Sequence, residues 1–275
     1  MQLSPQAFLH YLLKRRGYVT QIHSYKRSGY YNKPTEYQLA SYGTKIAEII
    51  KSNQTEEFSC LMEAGLSPNA CNQHGESLVH TVCRHSNVKH FQVLLRHGVD
   101  VQQTDDYGRT PMHDCCWASN PSFEIGRELL KRDASVLFVM DIHGSIPLAY
   151  CTKKNWAMWN SFLIEIVDEL FPVAQAGKNE MPPLFAMEAN SRPVPDPTDA
   201  LSIEMAKRIA SGRVDPEDID FEDHTDHDET NTNWGDDDET LGCRDDSTII
   251  DSKSLRQFLK HKDSTAELLG GLHDD

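Results

Sequence analysis

The feature that most constrains this chain is a self-similarity with a period of 33 residues. Displacing the sequence by that interval sets Gly65 on Gly98, Gly75 on Gly108, Phe58 on Phe91, and Leu61 and Met62 on Leu94 and Leu95. The same displacement sets Ser77 on Thr110, His80 on His113 and Cys83 on Cys116. A fixed period of this length marks small stacked units, each unable to bury its apolar side alone. The match continues weakly on both sides. Residues 44–47 lie one period before 77–80, and "GSIPLAYC" at 144–151 follows "GRTPMHDC" at 108–115 after 36 residues, the additional ones falling near Asn120 and Pro121 and before Gly144. Extra residues at turns are what a stacked array tolerates.

Within one unit the spacing is physically coherent. Gly75, Gly108 and Gly144 supply the left-handed backbone of a tight turn. Thr110 caps a helix, and Pro111, like Pro147 in the last unit, sits in a first turn where no N–H is required. Phe91, Leu94 and Leu95 line a second helix that stops at Gly98. In the third unit Asp133 replaces that glycine, which predicts a less stable left-handed turn.

These residues resemble the ankyrin repeat. "GRTPMHDCC" is similar to the helix-opening signature of that family, and "LLRHGVDVQQTDDYG" to its second helix and following β-turn, over about residues 40–171. The first and last units are degenerate: Leu78 stands where the signature has proline, and Ala149 where it has histidine. The resemblance implies an all-α solenoid of helix-turn-helix repeats with β-turn fingers. Residues 37–171 would hold about 3–4 units including caps, with Trp156, Trp159, Phe162 and Phe171 packed on the last repeat.

The most chemically loaded stretch is "DDYGRTPMHDCCW" at 105–117. His80 and His113 recur at one repeat position, and the resemblance implies a structural imidazole bonding between units. Cys83, Cys115 and Cys116 are read as small buried hydrophobes. A zinc reading of His80 with Cys83 and His113 with Cys116 fails on geometry: four ligands must converge at about 2.0–2.3 Å, and stacked repeats hold equivalent atoms farther apart. Asp114 is expected on the solvent or concave face, pointing away from His113. With no nucleophile signature, P-loop or dinucleotide fingerprint, the expectation is a non-enzyme with no cofactor and no metal. Gly75, His80, Gly108, Thr110, Pro111, His113, Gly144 and Pro147 are the structural signature. Candidate protein-binding residues lie on the turns: Asn72 and His74, then Gln103, Asp105, Asp106 and Tyr107, then Met140 and His143. Trp117, at the end of an inner helix, is the candidate aromatic anchor.

Charge divides the chain. It holds 27 Lys plus Arg and 42 Asp plus Glu, yet residues 1–171 carry 17 of each. The deficit belongs to residues 172–275, where 13 acids crowd into 215–239 without one base. Such a run predicts a self-repelling, disordered tail that offers a contact to a basic partner protein; a neutral array with an acidic tail argues against nucleic acid as the partner. Two amphipathic stretches near 198–212 and 251–262 either dock on the array or order on a partner. Residues 1–36 form a basic segment with no acid before Glu36, read as a helix and turn packing on the next domain, with organelle import as the alternative. No apolar run is long enough to span a bilayer. Seven cysteines without a CxxC pair point to a reducing compartment, cytoplasmic or nuclear. The expected function is a protein-interaction adaptor or scaffold, the alternative a regulator of basic or nucleic-acid-bound proteins acting through the tail.

Overall fold

The computed structural model describes residues 2–173, 194, 196–198 and 200–218. Nearly all of the acidic run and the 251–262 stretch lie outside the described residues. The chain opens with α1 (Pro5–Arg15), β1 (His23–Ser24), α2 (Tyr25–Ser28) and α3 (Glu36–Ala40). Helix pairs follow: α4 (Thr44–Ser52) with α5 (Thr55–Glu63), α6 (Leu78–His85) with α7 (Val88–Arg96), and α8 (Pro111–Trp117) with α9 (Phe123–Arg132). A 3-10 helix, Ala134–Phe138, leads into β2 (Val139–Met140). The fourth unit pairs a 3-10 helix, Pro147–Tyr150, with α10 (Trp156–Leu170), and α11 (Ile203–Ala210) comes later.

First helices pack on first helices, α4 to α6 to α8 to the 3-10 helix, and second helices on second helices, α5 to α7 to α9 to α10. Leu78, Val79, Val82 and Cys83 of α6 and Phe91, Val93 and Leu94 of α7 are buried between layers. The turns joining the helices of the first two units repeat as well: Asn53 and Ser86 both adopt φ 58°. Short polar side chains bear that left-handed geometry better than branched ones. Trp159, Phe162 and Phe171 are buried against the last unit and Trp156 is half-buried.

Asp133 departs from the expected left-handed turn. Its φ is −158°, an extended conformation, and its carboxylate accepts from the Ser135 N–H (2.8 Å) to cap the following 3-10 helix. The same buried carboxylate takes the Tyr30 hydroxyl and Gln102 Nε2 (2.7 Å). The turn is therefore built around a polar cluster on an extended backbone, not a left-handed one.

The segments outside the repeats close the array from opposite directions. α1 buries Leu9 and Leu13 and packs on α10, with Arg16 paired to Asp168 (2.5 Å) and the Tyr18 hydroxyl donating to the Pro172 carbonyl (2.5 Å). The chain then crosses the fingers in reverse order. β1 pairs in parallel with β2, Tyr30 C=O accepts from the Thr104 N–H (2.9 Å), and Gln38 C=O accepts from the Cys71 N–H (3.2 Å). A short parallel sheet thus joins an otherwise mostly helical chain. At the other end α11 packs on α3 and α4, burying Ala206, Ile209 and Ala210. Only glycine fits at Gly43 beneath it, since a Cβ there would stand 2.3 Å from the Ala210 carbonyl oxygen.

Candidate functional site

Each finger is tied by one side chain at one repeat position. Asn72 Oδ1 accepts from the N–H groups of His74 (2.9 Å) and Glu76 (3.1 Å). Asp105 Oδ1 accepts from those of Tyr107 (3.0 Å) and Arg109 (2.8 Å). Asp141 Oδ1 accepts from those of His143 (2.8 Å) and Ser145 (2.9 Å). Each carboxylate or amide satisfies backbone donors that the tight turn would otherwise leave open. Gly75, Gly108 and Gly144, at φ 71°, 75° and 78°, complete the turns.

This corrects two of the expected binding residues, Asp105 and Gln103. Asp105 is 0% exposed and also holds the Arg109 guanidinium (2.6 Å), so its carboxylate is consumed inside the turn. Asn72 is half-buried with its oxygen committed. Gln103 is 8% exposed and donates to the Asp100 carbonyl (2.5 Å). The period that marks His80 and His113 as structural also links Asn72, Asp105 and, after the insertion, Asp141; that signal was available in the sequence.

The two histidines join neighbouring units. Thr110 N–H and hydroxyl both meet His113 Nδ1 at 2.9 Å, and Nε2 reaches the Ser145 carbonyl at 3.2 Å. His80 repeats the pattern with Ser77 (3.3 and 2.8 Å) and the Arg109 carbonyl (2.9 Å). A carbonyl only accepts, so Nε2 carries the proton and Nδ1 is the acceptor, the neutral tautomer. Burial lowers the His113 pKa from 6.5 to about 4. Both ring nitrogens are therefore engaged, leaving no lone pair for a metal. Cys83, Cys115 and Cys116 are fully buried, and burial raises their thiols above the ordinary range.

What remains open lies on the tips and the inner face. His74, Asp106, Tyr107 and His143 are exposed, Met140 is half-buried, and Trp117 is 46% exposed. Trp117 occupies the repeat position of Arg84 one unit earlier, and the Arg84 guanidinium lies 5.3 Å from its ring centre. Arg109 lies 5.9 Å from the same ring and 5.2 Å from that of Tyr107. Tyr150 completes the cluster 6.3 Å from Trp117, its hydroxyl on Asp141. Guanidiniums near aromatic rings stiffen a surface on which Trp117 and Tyr107 stay exposed.

Asp114 corrects another expectation. It faces the inner layer but is buried, Oδ1 held by Arg84 Nε (2.7 Å), and Arg84 also pairs with Glu76. Burial raises the Asp114 pKa against the pull of nearby positive charge. Arg84 and Tyr150 belong to the site but escape a reading confined to turn residues, and Arg109 is a turn residue that such a reading passes over. Among the described residues no cluster of three or more His, Cys, Asp or Glu could hold a metal ion, and no helix is long and apolar enough to cross a membrane.

Comparison with known proteins bears on this geometry. Residues 46–139 match the family model described as ankyrin repeats (3 copies). The cyclin-dependent kinase inhibitor 2A of Monodelphis domestica is 30% identical over 126 residues, 46% of this chain and 71% of that protein. The ADP-ribosylation factor GTPase-activating protein AGD2 of Arabidopsis thaliana is 33% identical over 78 residues, 24% of this chain and 10% of that one.

Proposed function

Because the chain belongs to the ankyrin-repeat family, whose arrays are protein-interaction modules, we propose that it is a non-enzymatic adaptor that reads a partner protein with the inner face around Trp117. The observation that carries this reading is an exposed indole with two guanidiniums 5.3 and 5.9 Å from its ring centre, beside exposed Tyr107. A preordered Trp and Tyr offer large contact area with little further loss of side-chain freedom, the character of an interface hot spot. Asp106, His74 and His143 supply the polar rim. The arginines are poor bait for nucleic acid, since Glu76, Asp114 and Asp105 already neutralise them.

The name of the opossum relative makes that protein a kinase inhibitor, so a protein kinase is the first partner class to test. Capture from cell extract would compare the full chain with Trp117→Ala. The expected result is loss of the main retained partner, equivalent to at least about tenfold weaker binding, because hot-spot truncations commonly cost 2 kcal/mol or more. Undiminished capture would reject the Trp117 face.

A second reading rests on the 13 acids of residues 215–239. In it the tail supplies a second contact to a basic protein. Residues 1–221 form a compact unit, so a chain ending there removes most of the acidic run without uncovering the α11 seat. Capture that disappears in this shorter chain and fades with salt supports the tail reading; capture unchanged by truncation and salt opposes it.

A further inference from the structure

The fingers are joined tip to tip by one recurring bond. The Asp106 N–H donates to the His74 carbonyl (2.9 Å), and the Ile142 N–H donates to the Tyr107 carbonyl (2.9 Å). In each case the first tip residue of one finger donates to the second tip residue of the finger before it. The row therefore has polarity. By this register it ends with the Gln73 N–H at one side and the His143 carbonyl at the other, and neither has a partner among the described residues.

The surroundings of the two ends are complementary. Beside Gln73, where a finger of the first unit would stand, α3 leaves a cleft of about 430 Å³ lined by Leu39, Tyr42, Cys71, Asn72, Gln73 and His74. Leu39, at the repeat position of Asn72, is 41% exposed. Beside His143 stands Ile142, 48% exposed. A finger able to fill the cleft must present a carbonyl at its second tip position and an apolar side chain next to it. The last finger of this chain presents both.

We infer that the occupant of the cleft is a second copy of this chain. The last finger of one copy lies against the first finger of the next, so that the Gln73 N–H donates to the incoming His143 carbonyl and Ile142 covers Leu39 and Tyr42. The two patches differ, so the contact is heterologous and extends head to tail. One backbone bond and a small apolar contact make it a weak association that grows with concentration. The surface leaves out Trp117 but shares His74 and His143 with the rim of the adaptor reading, so the Trp117 variant separates the two.

Sedimentation velocity of the full chain across a concentration series is the test. The wild-type chain should sediment faster as concentration rises. Leu39→Asp spoils the cleft and Ile142→Asp spoils the finger, and each variant alone should remain monomeric. Each keeps the half that the other has lost, so an equimolar mixture should regain pairing and stop at the dimer. A misfolded variant could not rescue its counterpart, so the mixture also controls for folding. A wild-type chain that stays monomeric throughout overturns the inference and leaves the cleft to an extended peptide of another protein. Association that persists in both variants, or a mixture that fails to pair, overturns it equally. Trp117→Ala should leave self-association unchanged.

Discussion

In the second and third units a buried imidazole bonds to the next unit, His80 to the Arg109 carbonyl and His113 to the Ser145 carbonyl. At the ends the same position holds Ala47 and Ala149. There the exposed flanks are closed by apolar packing from outside the array, α11 on α4 and α1 on α10 and the 3-10 helix Pro147–Tyr150. The middle is held by chemistry that each unit carries in its own sequence. The ends are held by segments far away along the chain, as Arg16 and Asp168, 152 residues apart, illustrate. A periodic array supplies its interior joints by repetition, whereas its last faces have no next unit to bond and need another surface to exclude water.

Breaking the middle should cost most. His113→Ala leaves the Thr110 N–H and hydroxyl and one acceptor site of Ser145 unpaired in a buried joint, and roughly 3 kcal/mol of unfolding stability should go. Chemical denaturation would measure it, and a loss below about 1 kcal/mol would show that the imidazole is not the joint. Acid probes the same group. His113 is neutral when folded, with its pKa lowered to about 4 from 6.5, so its contribution is complete above 6.5 and declines as pH falls toward 4. The whole window is worth roughly 3 kcal/mol, and in His113→Gln the slope of stability against pH between these values should flatten by about one proton.

The ends should yield next. Leu13→Ala empties a fully buried site between α1 and α10 and should cost about 2–4 kcal/mol, again read by denaturation. Ile209→Ala sharpens the contrast, because α11 is short and is expected to detach without global unfolding. Hydrogen exchange should show α11 amides losing protection while α8 amides keep theirs; equal loss in both would make α11 part of the cooperative core. Trp117→Ala is the mildest change for the fold. Its indole is half in solvent, so stability should move by less than about 1 kcal/mol whatever happens to partner capture.

The repeat and its joints were legible because they recur. His80 with His113, the buried cysteines and the glycine turns all follow from one period. Asn72 and Asp105 carried the same recurrence, yet polarity on a turn argued for surface at both, and burial removed Asp105 from it. Asp114 shows the limit of reasoning from one helix. Adjacent residues point to different faces, but whether a face is wet depends on the neighbours, and Arg84 closes over Asp114 from the preceding unit. Trp117 was visible as a candidate anchor; the guanidiniums beside it were not, because contacts across units depend on how the stack is spaced.

The amino-acid sequence alone determined that this chain stacks ankyrin-type units, which residues make the turns, and where the acidic charge collects. Those properties are local or periodic, and period and composition are written along the chain. Tertiary structure decided that α1 caps the last unit before the chain crosses the fingers in reverse, that α11 caps the first, and that Asp133 anchors Tyr30 on an extended backbone. Each of these is a contact between residues distant in sequence, selected by which buried faces and backbone donors the completed array leaves to be satisfied. Nothing in the local pattern of either partner encodes that choice.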